Sequence, residues 1–175
     1  GKVREVYEIS DKELVVVTTD RLSAFDVILP TPVPEKGIVL NKLSSFWFNL
    51  TKDIVPNHMI SEDLKDMPAE FQKPEFEGRT ILVKKLKMLP YEFIIVFGSM
   101  WKAYRAGEPF CGHKIEGDYK LAQKLEKPIL TPSTKSSEGH DVNISIEEMK
   151  TDVGEALAEQ IEDVCLKLFD RCCTY

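Results

Sequence analysis

The sequence lacks the features that mark several large classes of protein. No apolar run among its 175 residues approaches the roughly 18 that a membrane helix needs, and no secretory signal is visible. Lys and Arg number 23 against 29 Asp and Glu, so the net charge of −6 leaves no basic surplus for binding a nucleic-acid backbone. These absences favour a cytoplasmic protein that binds neither membranes nor nucleic acid.

Cysteine and histidine are scarce and poorly spaced for metal binding. The three histidines lie far apart, and the four cysteines form no Cys-x-x-Cys pair. We therefore expect no zinc site, and we expect four free thiols that are buried in a protein of the reducing cytosol.

The residues that are present indicate a globular α+β protein. Apolar residues make up 43% of the chain and charged residues 30%, a globular balance, and the length suits one domain or about half of a larger enzyme. Hydrophobic periodicity predicts strands at 3–9, 13–19, 25–29, 79–87 and 91–97, and helices at 39–50 and from Ser145 to the end of the chain. Strands, helix, strands, loop and helix in this order are typical of the α+β class.

Three local features sharpen this prediction. Ser145 and Glu148 have the spacing of a capping box, and the apolar positions that follow predict one amphipathic helix of about 25 residues. The aromatic pair Phe46 and Trp47 predicts a core anchor on the first helix. Residues 107–139 show little periodicity and are interpreted as a long irregular loop, which in a compact domain is usually functional or mobile.

Several clusters of polar residues have the composition of a binding site, although each also has an ordinary structural explanation. Gly1, Lys2 and Arg4 open the first hairpin, where a glycine beside two cations can admit phosphates or can simply form a solvated strand end. Lys84 and Lys85 must point to opposite faces of their strand, so one of them can face a cleft. Ser99 follows a strand and can donate to a phosphate or cap a helix.

Two further clusters carry charged side chains. The segment Asp20-Arg21-Leu22-Ser23-Ala24-Phe25-Asp26 can hold a polar, charged substrate, form a helix-capping turn or form a local salt bridge. The segments 131–135 and 140–143 together contribute hydroxyls, Lys135, His140, Asp141 and Asn143. That set suits an anionic small molecule, but it is also common in turn-rich loops.

Taken together, these segments resemble the phosphoribosylaminoimidazole-succinocarboxamide synthase (SAICAR synthetase) family. The stretches that carry the resemblance follow the family's order and cover nearly the whole chain: GKVREVYE (1–8), TTDRLSAFDV (18–27), PEKGIVLNKLSSFWF (34–48), VPNHMIS (55–61), LVKKLKMLPYEFIIV (82–96), GSMWKAY (98–104) and TPSTKSSEGHDVNIS (131–145).

The resemblance implies a two-lobed fold related to ATP-grasp and kinase-like nucleotide binders. Residues 1–97 would form an N-terminal nucleotide-binding sheet lobe, and residues 98–175 the beginning of an incomplete substrate-binding lobe. It implies an ATP-dependent ligase of purine biosynthesis that uses Mg²⁺. This ligase joins carboxyaminoimidazole ribonucleotide to L-aspartate through an acyl phosphate, giving SAICAR, ADP and phosphate.

The resemblance also assigns roles to individual residues. Lys2 and Arg4 would lie at the ATP phosphates, Lys84 would reach the nucleotide, and the backbone at Met88 would meet the adenine edge. Lys135 and Asp141 would act at the substrate carboxylate, with Asp141 near Mg²⁺. The substrate-binding residues would be Ser23, Asp26, Ser99, His140 and Asn143.

Two departures from the family pattern affect the expected activity. A short segment that carries the family's signature Arg has no counterpart after Val96, which we interpret as an omission from the sequence. The chain stops at Tyr175, before the acidic segment that supplies the family's main Mg²⁺ carboxylates. We therefore expect the isolated fragment to lack useful activity.

Three other functions are weighed against the ligase. A non-catalytic nucleotide-binding module would keep the hairpin, Lys84 and the adenine connector. A kinase-like phosphotransferase would need His-Arg-Asp and Asp-Phe-Gly motifs, and neither occurs in the sequence. A purely structural role leaves the polar residues 131–143 unexplained. The apolar stripe of the last helix is compatible with a homo-oligomer.

Overall fold

A computed structural model describes residues 1–25, 27–95, 100–135 and 141–175 of the chain. Within these residues the strands are β1 (Arg4–Glu8), β2 (Glu13–Thr18), β3 (Ser23–Ala24), β4 (Val27–Ile28), β5 (Met59–Ser61), β6 (Thr80–Lys84), β7 (Tyr91–Ile94) and β8 (Thr131–Thr134). The α-helices in the described part of the chain are α1 (Lys36–Thr51), α2 (Met100–Ala106), α3 (Ile146–Val153) and α4 (Glu155–Thr174). All strand pairs are antiparallel, which confirms the predicted α+β class.

The chain divides into two compact units, Gly1–Lys87 and Met88–Tyr175. This division precedes the boundary expected at 97/98, because β7 pairs with β8 and therefore belongs to the second unit. Among the described residues, no helix combines the length and apolar character needed to span a membrane.

The first unit is built on a four-stranded sheet in the order β1-β2-β6-β5. β1 and β2 form the predicted N-terminal hairpin. On one sheet face, Val15, Val17 and Leu82 pack with Met67 and Phe71 from the segment between β5 and β6. That segment contains three short 3-10 helices. The core of this unit thus lies between the sheet and these short helices.

Helix α1 packs with small and polar residues rather than with its apolar ones. Its buried side is formed by Gly37, Asn41 and Ser45, spaced four residues apart, and Asn41 donates from Nδ2 to the Gly78 carbonyl at 3.1 Å. Phe46 is exposed and Trp47 half-buried, so the prediction that this pair anchors the core is wrong.

Asp20 connects three segments of the first unit. Its carboxylate accepts from Gly37 N at 2.9 Å and Glu35 N at 3.2 Å, at the start of α1. It also accepts from the Arg79 guanidinium at 2.8 Å. Helix α1 has no acidic side chain of its own in the first turn and no side-chain cap, so Asp20 supplies the anion that favours a helix N-terminus. The hydrogen bonds from Arg79 and from Gly37 N hold the pKa of Asp20 below its usual value.

We expect Asp20→Asn to lower the free energy of unfolding by about 2 kcal/mol at neutral pH, because it removes charge-assisted bonds to Arg79 and to α1. A carboxyl whose pKa is lowered by folding stabilises above its unfolded pKa and loses that effect as the pH falls. The gap between variant and wild type should therefore shrink in acid below about pH 4. Urea unfolding of variant and wild type at neutral pH and below about pH 4 measures the difference in free energy of unfolding. Asp11→Asn, in an exposed turn, is the control. A gap that is constant with pH would contradict the assignment.

The second unit packs α3 and α4 against the ribbon β7–β8. Leu130, Met149 and Ala158 form its core, with Phe93, Ile95 and Ile161 around them. The capping box is confirmed: Ser145 Oγ accepts from Glu148 N at 3.1 Å, and Glu148 accepts from Ser145 N at 2.7 Å.

Three sequence predictions for this unit are wrong. The last helix is two helices, because Gly154 has φ +88° and ψ +148°, a conformation essentially restricted to glycine. Residues 131–134 form β8, inside the stretch interpreted as irregular. The four cysteines are free, but Cys172 and Cys173 are exposed rather than buried.

Candidate functional site

The predicted phosphate-binding residues lie at the start of the first hairpin. Arg4 opens β1, opposite Thr18 of β2, and its side chain is exposed. Lys2 is exposed and precedes the strand. The carbonyls of Gly1, Lys2 and Val3 all accept hydrogen bonds from residues 19–21, so the backbone carrying these two cations is held in place.

Lys84 is the last residue of β6, Lys85 follows it, and both side chains are exposed. Lys84 is exposed and lies opposite Glu13 of β2, and its backbone N–H donates to the His58 carbonyl at 2.8 Å. Lys85 forms an ion pair with Glu8, with its Nζ 2.7 Å from the carboxylate.

The imidazole of His58 is a further titratable group in this region. It packs edge-on against Phe48 with a ring-centre distance of 5.1 Å. Burial, assisted by the positive charge of Arg4, lowers the pKa of His58, which favours the neutral imidazole at physiological pH.

Met88 lies in the connector that precedes β7, and 78% of its surface is exposed. Its side chain therefore lies outside the core of the second unit. Ser23 lies in the short ribbon β3–β4, paired with Ile28. Three predicted site residues, Asp26, Ser99 and His140, lie outside the described residues, as does the predicted gap after Val96.

Lys135, Asp141 and Asn143 lie beside the end of β8, on the backbone segments that pair there. Thr134 N donates to the Val142 carbonyl at 2.9 Å, and Ser133 forms a β-bridge with Asn143. Lys135 and Asp141 each lie one residue beyond the hydrogen-bonded residues Thr134 and Val142. All three predicted side chains are exposed, so they are accessible to a ligand.

Glu92 is a member of this cluster that the sequence analysis did not select. Its carboxylate lies 3.0 Å from Lys135 Nζ, and it faces Ser133 across the β7–β8 ribbon. Lys135 N also donates to the Pro90 carbonyl at 2.8 Å. A carboxylate inside the otherwise apolar run Tyr-Glu-Phe-Ile-Ile was the signal that could have identified Glu92. We define Glu92, Lys135, Asp141 and Asn143 as the β8-end cluster.

The described residues do not assemble a complete protein site for Mg²⁺. Within residues 1–25, 27–95, 100–135 and 141–175, no group of three His, Cys, Asp or Glu side chains converges. Mg²⁺ commonly takes one or two carboxylates together with substrate phosphates. Asp141 would therefore supply only one of the carboxylates of a Mg²⁺ site.

Comparison with known proteins identifies close relatives. The sequence profile of the family described as SAICAR synthetase matches residues 1–175. The chain is 49% identical over 177 residues to the phosphoribosylaminoimidazole-succinocarboxamide synthase of Geobacter sulfurreducens, covering 98% of this chain and 60% of that protein. It is 48% identical over 186 residues to the synthase of the same name from Lachnospira eligens, covering 100% of this chain and 62% of that protein.

Solved structures show the same relationship. The SAICAR synthase of Saccharomyces cerevisiae, solved in complex with SAICAR, superposes with a TM-score of 0.87 at 38% identity, covering 98% of this chain and 60% of that one. A SAICAR synthetase in complex with ADP shares the fold, with a TM-score of 0.72 at 24% identity over 98% of this chain and 65% of that one. The chain spans about 60% of the length of the curated relatives that it matches.

Proposed function

Because the chain belongs to the SAICAR synthetase family, we propose that it is part of an ATP-dependent carbon–nitrogen ligase of purine biosynthesis. The substrates would be carboxyaminoimidazole ribonucleotide, L-aspartate and ATP, and the products SAICAR, ADP and phosphate. The relatives named above support this reaction, since one is solved with SAICAR and another with ADP. A cytoplasmic location accords with a reaction among small soluble metabolites.

The observation that carries the proposal is the β8-end cluster. A carboxylate is a poor acylating agent, so the ligase must first make it an acyl phosphate. In that step a carboxylate oxygen attacks the γ-phosphorus and the bond to the β-phosphate oxygen breaks, releasing ADP. The amine of aspartate then attacks the acyl carbon, forms the C–N bond, expels phosphate and loses a proton.

Each step brings negative groups together, so cations must offset their charge. Lys135 is anchored for this task, because its backbone and its Nζ are both hydrogen-bonded within the ribbon. We propose that Lys135 and Asp141 act on the reacting carboxylate, with Asp141 also contributing to Mg²⁺ binding. Asn143 would contact the ribonucleotide beside them.

The remaining assignments stay proposals of the same kind. Lys2 and Arg4 would bind the ATP phosphates, Lys84 would contact the nucleotide, and the backbone at Met88 would meet adenine. Four further residues complete the proposed substrate contacts: Ser23, Asp26, Ser99 and His140. Mg²⁺ would supply charge neutralisation at the phosphates when it is bound.

A three-substrate omission assay tests the proposed function. We expect the full-length protein to release ADP and to form SAICAR only when ATP, the ribonucleotide and aspartate are all present. Coupled ADP detection and the absorbance of the product measure the two outcomes independently. ATP binding without any SAICAR formation would instead support the non-catalytic nucleotide-binding module.

A further inference from the structure

Arg21, which follows β2, fastens the start of the chain to the loop after the first hairpin. Its Nε donates to the Lys2 carbonyl at 2.9 Å, and its Nη2 donates to the Gly1 carbonyl at 3.0 Å. The same Nη2 lies 2.5 Å from Glu5 Oε1. This hydrogen bond keeps the pKa of Glu5 below its usual value, so Glu5 is ionised at neutral pH.

Neighbouring residues extend the same attachment. Thr19 donates to the Val3 carbonyl from Oγ1 at 2.8 Å and from its backbone N–H at 3.0 Å. Lys36 Nζ donates to the Arg21 carbonyl at 3.1 Å, which ties Arg21 to the first turn of α1. Residues 19–21 therefore hold three consecutive carbonyls, those of Gly1, Lys2 and Val3.

We infer that Arg21 is a positioning residue for nucleotide binding, which orders the segment 1–4 so that Lys2 and Arg4 are presented to the phosphates. The inference rests on the proposed function, because it takes these two cations as the phosphate ligands. Its physical basis is preorganisation: a segment that is ordered before binding loses less conformational entropy when the ligand arrives. The planar guanidinium suits this role, since it can engage several acceptors at once in a fixed geometry.

The competing explanation is that Arg21 binds an anionic substrate directly, which the composition of the segment Asp20–Asp26 left open. The structure favours positioning, because the guanidinium already donates to two carbonyls and to Glu5. The two explanations differ in the ligand whose binding is weakened when Arg21 is replaced. A positioning residue affects ATP, whereas a direct substrate ligand affects the ribonucleotide or aspartate.

The test uses Arg21→Lys and Glu5→Gln in the full-length protein. Arg21→Lys keeps the positive charge but loses the several N–H donors of the planar guanidinium. Glu5→Gln leaves Arg21 unchanged but replaces the carboxylate that accepts from its Nη2 with a neutral amide. Glu8→Gln is the matched control, since Glu8 is an ion-paired glutamate on the same strand whose partner is Lys85. Calorimetric titration with ATP measures affinity without requiring turnover, and hydrogen exchange at the Thr19 amide reports whether its bond to Val3 has loosened.

We expect Arg21→Lys to weaken ATP binding about tenfold, Glu5→Gln to weaken it less, and Glu8→Gln to leave it unchanged. Faster exchange at Thr19 should accompany the loss, while KM for the ribonucleotide and aspartate stays at the wild-type value. Unchanged ATP affinity in both variants would overturn the inference, as would a rise in the ribonucleotide or aspartate KM alone. If Arg21→Lys fails to fold, Glu5→Gln decides the result by itself.

These outcomes separate the inference from the proposed function. A wild-type protein that binds ATP but makes no SAICAR refutes the ligase, and the variants still report on Arg21 through ATP affinity. A wild-type protein that binds no ATP refutes both.

Discussion

Lys135→Met in the full-length protein is expected to lower kcat by roughly 10²- to 10³-fold, with ATP affinity close to wild type. Methionine keeps an unbranched side chain of similar length and removes the charge, so the change isolates electrostatics from packing. The expected loss arises because the carboxylate and the γ-phosphoryl group repel each other, and Lys135 would offset that repulsion more strongly as they approach. Lys135 is exposed, so its removal should not unfold the second unit.

Lys167→Met is the matched control for this experiment. Lys167 is also an exposed lysine in an ion pair, with its Nζ 2.7 Å from Asp163 on α4, but it lies outside the β8-end cluster. Steady-state rates and calorimetric ATP titration on both variants complete the comparison. A Lys135→Met enzyme with wild-type kcat would remove Lys135 from the catalytic assignment, and an equal loss in Lys167→Met would attribute the effect to stability.

Local sequence signals predicted the elements that are stabilised locally. The hairpin of β1 and β2 has a run of β-branched residues and a polar turn, and the capping box at Ser145 is complete within four residues. Both depend on neighbours along the chain, so periodicity and residue type are sufficient to find them. The family motifs then led to Lys135, Asp141 and Asn143, whose backbone segments lie beside the end of β8.

Features that depend on distant contacts could not be predicted in this way. Strand β8 has the sequence Thr-Pro-Ser-Thr, which has little strand character, and it forms because β7 provides a partner. Glu92 joins the β8-end cluster through that pairing. The buried side of α1 carries Gly37, Asn41 and Ser45 because the helix lies close to its neighbours, and a periodic count of apolar residues selects the opposite side.

The close approach at α1 leads to the second large expected effect. Gly37→Ala should lower the free energy of unfolding of the first unit by about 3 kcal/mol, within the range for overpacked sites. A Cβ at this position would lie 2.2 Å from the Thr18 carbonyl oxygen and 2.9 Å from its carbon, both backbone atoms of β2. Neither can move freely, because Thr18 N is hydrogen-bonded to the Arg79 carbonyl at 2.8 Å.

The alternative explanation for Gly37 is simple helix propensity, and it predicts the opposite sign. An alanine in a helix is favoured over glycine by about 1 kcal/mol when nothing obstructs its methyl group. Urea unfolding of Gly37→Ala, with Ser44→Ala on the exposed side of α1 as control, therefore separates the two causes. A stabilised Gly37→Ala protein would show that α1 can move away from β2, and the link from Asp20 to the helix start would then not require a glycine.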